Sequence, residues 1–215
     1  SIVSYEGNNV QGATVGHGLG VQPDAIIVKN RESTYNWAVW HTGLLNASYI
    51  VNLNGEGTQG SIPGIFNSTF PTSTVFSLGG GSQGDRFLSN EPSKDFIAYV
   101  FSSVEGFSKF GKYGGNGQSD GVYVHLGFRP ALLIIKTMEQ AGDWIMIDST
   151  RDVDNPNQHR IDANLGDAET SNDVYHDFLA NGFKLRTGSA SRNPNNQEML
   201  YFAFAENPFK FARAR

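Results

Sequence analysis

Apolar residues along this chain gather into short runs between polar, glycine-containing turns, and the runs come twice. Ala25-Ile26-Ile27-Val28 and Leu132-Leu133-Ile134-Ile135 are continuous and rich in β-type residues, the pattern of central strands covered on both faces. Gly-x-x-Pro ahead of each run limits its upstream extension, because proline donates no ladder hydrogen bond. Trp37-Ala38-Val39-Trp40 and Trp144-Ile145-Met146-Ile147 are predicted to pair with those strands as hairpins. Val75-Phe76-Ser77-Leu78 and Phe183-Lys184-Leu185 alternate with period 2, as half-buried strands do. Phe96 to Phe101 and Met199 to Phe204 close the two sets, for roughly six to eight strands in each. A single short helix is predicted, around Asp173 to Leu179, where Val174, Phe178 and Leu179 share one face.

The two sets are one pattern repeated. Leu19-Gly20-Val21-Gln22-Pro23-Asp24-Ala25-Ile26-Ile27-Val28-Lys29 matches Leu126-Gly127-Phe128-Arg129-Pro130-Ala131-Leu132-Leu133-Ile134-Ile135-Lys136, a spacing of 136 − 29 = 107. Trp37 with Trp144, Phe76 with Phe183 and Leu78 with Leu185 keep that spacing. Tyr5-Glu6-Gly7-Asn8 answers Tyr113-Gly114-Gly115-Asn116, and the seam lies near Glu105 to Tyr113. The expected architecture is all-β: a β-sandwich, concanavalin-like or jelly-roll-like, built from two tandem related copies. Residues 1–107 form the first copy and 108–215 the second. No linker separates them, so they are expected to pack as one unit.

Composition narrows the chemistry. Cys is absent, which excludes disulfides, thiolate nucleophiles and zinc ribbons. A net charge of −5 argues against a nucleic-acid groove. No apolar run approaches the ~20 residues that span a bilayer as a helix, and no signal segment opens the chain. Ser1 in place of an initiating Met reads as the start of a fragment or processed product.

Several motifs match catalytic patterns without their structural context. Gly79-Gly80-Gly81-Ser82-Gln83-Gly84 and Gly55-Glu56-Gly57-Thr58-Gln59-Gly60 fit G-x-G-x-x-G, but neither opens a helix in a βαβ unit. Gly80-Gly81-Ser82-Gln83-Gly84 fits G-x-S-x-G, yet a nucleophile elbow needs a strand before it and a helix after it. A hairpin loop is expected instead. The histidines lack HExxH spacing, and His17 and His125 are expected to share a structural role ahead of the Leu-Gly turns. A glycosidase needs two carboxylates, and the sequence singles out no pair. No catalytic residue is therefore assigned, and the chain is expected not to be an enzyme.

Residues present in only one copy are the better functional candidates. Trp40 faces Ile147 in the alignment but lies in an apolar strand and is expected in the core. The segments Thr42 to Thr74 and Ser149 to Asn181 have diverged most, and long connections in compact β domains are commonly functional. The first offers Tyr49, Asn52 and Asn54, suited to stacking on and hydrogen-bonding a sugar. The second offers an acidic face with Arg151 and Arg160, suited to a charged partner or a neighbouring subunit. Within it, Asp152, Asp154, Asn155 and Asn157 form a dense oxygen cluster, a candidate Ca²⁺ loop without EF-hand spacing. Asn, Asp and Pro also make turns by themselves. No other cofactor is expected.

The repeated pattern resembles a poorly characterised domain of marine bacteriophage tail and virion proteins. The resemblance rests on Gly18-Leu19-Gly20-Val21-Gln22-Pro23-Asp24-Ala25-Ile26-Ile27-Val28-Lys29 with Asn36-Trp37, and on Val104-Glu105-Gly106-Phe107-Ser108-Lys109-Phe110. Gly127-Phe128-Arg129-Pro130-Ala131 and the ending Phe202-Ala203-Phe204-Ala205-Glu206-Asn207-Pro208-Phe209-Lys210 extend it over nearly the whole chain. In that family the domain commonly closes the polypeptide. The resemblance implies a virion-surface structural module of a tail fibre, tail tip or capsid. Its implied partners are other virion proteins and a host-surface glycan or protein, with no nucleic acid and no membrane insertion. Symmetric appendages imply a homo-oligomer, trimeric in a fibre. The alternative functions are a polysaccharide-degrading enzyme and a lectin-like carbohydrate-binding domain.

Overall fold

The computed structural model describes residues 1–171 and 175–208. The chain divides into two compact units, Ser1–Ser102 and Ser103–Arg215. The division falls just ahead of the seam read from the sequence.

Strands of the first unit are β1 (Ile2–Glu6), β2 (Thr14–Gly16), β3 (Ala25–Asn30), β4 (Ala38–His41), β5 (Tyr49–Asn52), β6 (Gly60–Ser61), β7 (Val75–Ser77) and β8 (Asp95–Phe101). A one-turn helix, α1 (Pro63–Phe66), and a 3-10 turn at Arg86–Leu88 complete it. Proline opens α1, where its fixed φ suits the first turn and its missing N–H costs nothing, and Asn67 ends it in the left-handed region at φ 51. One antiparallel sheet has the order β1-β8-β3-β4-β5-β6, and β2 pairs with β7 beside it. Aromatic rings join the two sheets: Tyr5 on β1 stacks on Phe96 of β8 at 5.2 Å and meets Phe76 of β7 edge-on at 6.1 Å.

Strands of the second unit are β9 (Ser108–Gly114), β10 (Tyr123–His125), β11 (Pro130–Thr137), β12 (Ile145–Asp148), β13 (Ile161–Asp162), β14 (His176–Leu179), β15 (Gly182–Leu185) and β16 (Glu198–Ala205). They form a five-stranded sheet, β13-β12-β11-β16-β9, and a three-stranded one, β10-β15-β14. Leu133, Ile135, Ile147 and Tyr201 of the large sheet share one core with Val124, Phe178 and Phe183 of the small sheet. Burial on this scale drives the collapse of both layers.

Strand order and register recur between units. Ile26 on β3 opposes Val100 on β8, and Leu133 on β11 opposes Ala203 on β16. Val15 opposes Phe76, and Val124 opposes Phe183. The β3–β4 and β11–β12 hairpins form as the sequence predicts.

Two expectations need correction. Of the predicted helix, Tyr175 to Leu179 are described, and His176–Leu179 are strand β14, buried at His176 and Phe178 and half-buried at Asp177 and Leu179. Asn172 to Val174 lie outside the described residues. The i, i+4 match of Val174 and Phe178 was outweighed by turn chemistry: Leu179 pairs with Gly182 across Ala180-Asn181, next to an Asn-Gly pair that marks a hairpin. Second, His17 and His125 are not equivalent. Because Val15 answers Val124, His17 answers Leu126, and a one-residue slip on a strand reverses the face. His17 is buried, with Nε2 3.1 Å from the Thr72 carbonyl and Nδ1 accepting the Leu19 N–H. His125 is exposed beside Tyr123.

A buried asparagine ties each unit's first strand to the turn that precedes its last one. Asn90 Oδ1 accepts the N–H groups of Asn8 and Asn9, while Nδ2 donates to the Val10 and Gly79 carbonyls. Asn193 Oδ1 accepts Asn116 N–H at 2.8 Å, and Nδ2 donates to Asn116 Oδ1, Gln118 O and Thr187 O. Beside each, a tyrosine hydroxyl donates to the preceding carbonyl: Tyr5 to Ser89 O at 2.8 Å, Tyr113 to Arg192 O at 2.6 Å. Burial pushes both phenols well above their ordinary range, so they remain protonated donors.

Candidate functional site

The first unit holds a cleft of about 310 Å³ lined by Thr34, Tyr35, Asn36, Asn52, Ile62, Asp85 and Leu88. Four segments converge on it: the β3–β4 loop, the end of β5, the residue before α1, and the 3-10 turn with its cap.

The β3–β4 loop is held by its neighbours' polar groups. Lys29 Nζ donates to the carbonyls of Asn30, Ser33 and Tyr35 at 2.8, 2.7 and 2.9 Å. The Glu91 carboxylate accepts from Asn30 Nδ2 at 2.8 Å and Ser33 Oγ at 3.2 Å. Asn54 Nδ2 donates to Asn36 Oδ1 and Asn54 Oδ1 accepts Trp37 N–H, both at 2.9 Å. Partial burial lowers the Lys29 ammonium below its ordinary value. Tyr35, 40% exposed, stacks on Phe87 with centroids 6.2 Å apart and planes within 14°. The Arg86 guanidinium lies 4.3 Å from the Phe87 centroid and donates from Nε to Asn9 Oδ1 and from Nη1 to the Gln83 carbonyl.

What faces the cleft is therefore an aromatic ring, two aliphatic side chains, a hydroxyl, two amides and one carboxylate. Asp85 supplies that carboxylate from a left-handed backbone position at φ 56. Such a lining can grip a small polar molecule that also has an apolar face.

The sequence-predicted binding residues separate. Asn52 lines the cleft, and Asn54 fixes the loop that forms its wall. Tyr49 pairs with Ser61 on the β5–β6 ladder and lies outside the lining. Arg151 is spent internally, with Nε 2.6 Å from Asp148 Oδ2, Nη1 3.2 Å from Glu169 Oε2, and Nη2 on the Met146 carbonyl. Arg160 sits 3.4 Å from Asp162 Oδ2 and exchanges backbone hydrogen bonds with Thr170. Burial raises the Asp162 carboxyl despite Arg160 beside it. Trp40 is buried, edge-on to Phe70.

The candidate Ca²⁺ loop is wired as a turn. Asp152 Oδ2 accepts the N–H groups of Gln158 and His159 at 2.8 Å, and Oδ1 lies 2.7 Å from His159 Nδ1. Asn155 exchanges both amide groups with the backbone of Phe178, and Asn157 Nδ2 reaches the Asp152 carbonyl. Asp154 is exposed. Burial raises the Asp152 carboxyl, but the His159 ring and the two N–H groups outweigh it and hold it below the usual carboxylate range. The same contact raises His159. Among the described residues, no three His, Cys, Asp or Glu side chains converge as a metal site. EDTA is expected to leave the melting temperature unchanged in a calorimetric scan. A fall of several degrees that Ca²⁺ restores would assign the loop to a cation.

The glycine run Gly79–Gly84 leads into the 3-10 turn at Arg86–Leu88, not into an α-helix. Its first residues serve close packing: a Cβ on Gly79 would lie 1.9 Å from the Gly64 carbonyl oxygen. Ser82 sits in an exposed turn.

Sequence reading missed Tyr35 and Asp85. An aromatic inside a hairpin turn of the first unit alone was the available signal, since the 107-residue spacing sets Tyr35 against Gly142. Asp85 carried none.

A family model described as "Domain of unknown function (DUF7483)" matches residues 1–208. No curated protein and no solved structure matches the chain.

Proposed function

Starting from a chain that belongs to the family described as a domain of unknown function (DUF7483), we propose a non-enzymatic binding module of a bacteriophage virion surface. In this reading the two units are products of a tandem duplication, each a small β-sandwich, that keep one scaffold and differ in their loops. The supporting observation is the cleft of the first unit, whose wall is held rigid by Lys29, Glu91 and Asn54 while Tyr35, Asn36 and Asp85 stay accessible. Ordered loops that carry exposed aromatics on a rigid β scaffold are a recurring form of recognition surface. The virion setting rests on the sequence resemblance. In the particle the module sits on a tail fibre, tail tip or capsid as a homo-oligomer, trimeric in a fibre.

Fluorescently labelled protein applied to host cells and to virions lacking the module tests this. The expected result is staining of host cells, or of virions alone if the role is structural. Staining of neither overturns the proposal. Release of new reducing ends from host envelope polysaccharide would replace it with an enzymatic reading.

A further inference from the structure

We propose that the cleft of the first unit binds one neutral pyranose ring. This deepens the binding-module reading and rests on it. A space of about 310 Å³ stands at the lower end of small-ligand sites, the size suited to a single sugar residue rather than an extended chain. A pyranose presents C–H groups on its faces and hydroxyls around its rim. The lining divides the same way: Tyr35, Ile62 and Leu88 are apolar, while Thr34, Asn36 and Asp85 offer hydrogen-bonding groups.

Charge selects a neutral sugar over an acidic one. Asp85 is the sole ionic side chain of the lining. Of the cations built into its surroundings, Lys29 gives its ammonium to three loop carbonyls, and Arg86 is bound to Asn9 and Gln83. A uronate or phosphate would meet the Asp85 carboxylate in the lining itself, whereas the donors of Lys29 and Arg86 are directed at carbonyl and amide oxygens outside it.

The wall is already ordered, so little loop entropy is lost on binding. Asn36 is the clearest case. Its oxygen is taken by Asn54, which fixes the amide's orientation and leaves its N–H₂ as the donor for a ligand hydroxyl. The second unit repeats the lysine but not the site. Lys136 Nζ donates to the Gly142 carbonyl within a loop, Met138 to Asp143, that carries no aromatic residue.

Titration calorimetry with the methyl glycosides of glucose, galactose, mannose and N-acetylglucosamine provides the test, with methyl glucuronide as the acidic comparison. At least one neutral glycoside is expected to bind, and methyl glucuronide to bind at least tenfold more weakly. Tyr35→Ala and Asp85→Asn are each expected to weaken the neutral ligand by about tenfold. Tyr49→Ala, outside the lining, should leave it unchanged. Because Tyr35 is exposed, Tyr35→Ala should melt close to the parent protein; Tyr35→Phe, which keeps the ring, should retain most of the affinity. Absence of binding by all four neutral glycosides overturns the proposal, as does binding that survives both Tyr35→Ala and Asp85→Asn. Cell staining separates the two levels. If the parent protein stains host cells and no neutral glycoside binds, the sugar assignment falls and the binding-module reading stands. If it stains neither cells nor virions, the broader reading falls.

Discussion

Asn193→Ala should destabilise the protein by about 3 kcal/mol or more in urea unfolding, among the largest effects of any polar substitution in the chain. The side chain is fully buried and densely bonded: Oδ1 accepts the Asn116 N–H, and the two N–H groups of Nδ2 are shared among Asn116 Oδ1, Gln118 O and Thr187 O. Alanine removes every partner at once and leaves an N–H, an amide oxygen and two carbonyls to be satisfied another way. Each buried polar group left unpaired costs about 1–3 kcal/mol, and partial relaxation keeps the total below the sum. Asn193→Asp is equally informative, because a carboxylate keeps the acceptor but turns oxygen toward the Gln118 and Thr187 carbonyls. It should be no less harmful than alanine. Asn90→Ala should behave similarly in the first unit, where the amide joins Asn8 and Asn9 to Val10 and Gly79. Losses under about 1 kcal/mol at both positions would mean that the two latches do not hold their strands.

Acid should weaken the protein through His176. Its ring is fully buried against Phe183, at 5.8 Å between centroids, and neither ring nitrogen has a hydrogen-bond partner among the described residues. Burial first, and the Arg192 charge second, lower its pKa from 6.5 to about 3. Above pH 6.5 the imidazole is neutral in folded and unfolded chains alike, and it adds no pH dependence. Below that value the unfolded chain takes up a proton that the folded chain rejects. Stability is then lost by about 1.4 kcal/mol per pH unit as pH falls toward 3. His176→Leu removes the titrating group and should flatten this dependence while preserving an apolar contact with Phe183. Urea midpoints for both proteins at pH 7.5, 5.5 and 4.5 provide the measurement. Parallel pH dependences would show that His176 does not carry the effect. The Arg192 guanidinium, 4.1 Å from the Tyr175 ring centroid, remains in both proteins, so the difference between them isolates the histidine.

Much of the framework was legible because its information is local or repeated. The runs at Ala25 and Leu132 announce strands by composition, and the tryptophan runs that follow pair with them at the same register in each unit. Lys29 and Lys136, flagged by the 107-residue spacing, both cap their own hairpin loops. Alignment of the two halves was less dependable where lengths change. His125 aligned loosely with His17, yet the ladder sets it on the opposite face, a difference that one residue of slip creates. Phe178 and Leu179 show the same limit at the level of period, where an apparent helical face proved to be one strand of a hairpin.

The candidate site was less legible than the strands. Asn52 and Asn54 stood out as polar residues in a divergent segment, and the structure gives them different tasks, one in the lining and one in the wall's support. Arg151 and Arg160 stood out equally, and their donors turn inward to Asp148, Glu169 and Asp162. Charge alone does not distinguish a group that awaits a partner from one already paired.

By itself, the sequence determined an all-β chain with two sets of strands in one order, because strand periodicity, turn residues and repeat spacing are written within a few neighbouring positions. Only the tertiary structure decided what those strands surround. The cleft needs Tyr35, Asn52, Ile62 and Asp85 from four separate segments, and the latch joins Asn90 to Asn8 across 82 residues. Such meetings depend on how loops close over a packed core, and no local pattern of apolar and polar residues encodes which distant side chains will meet there.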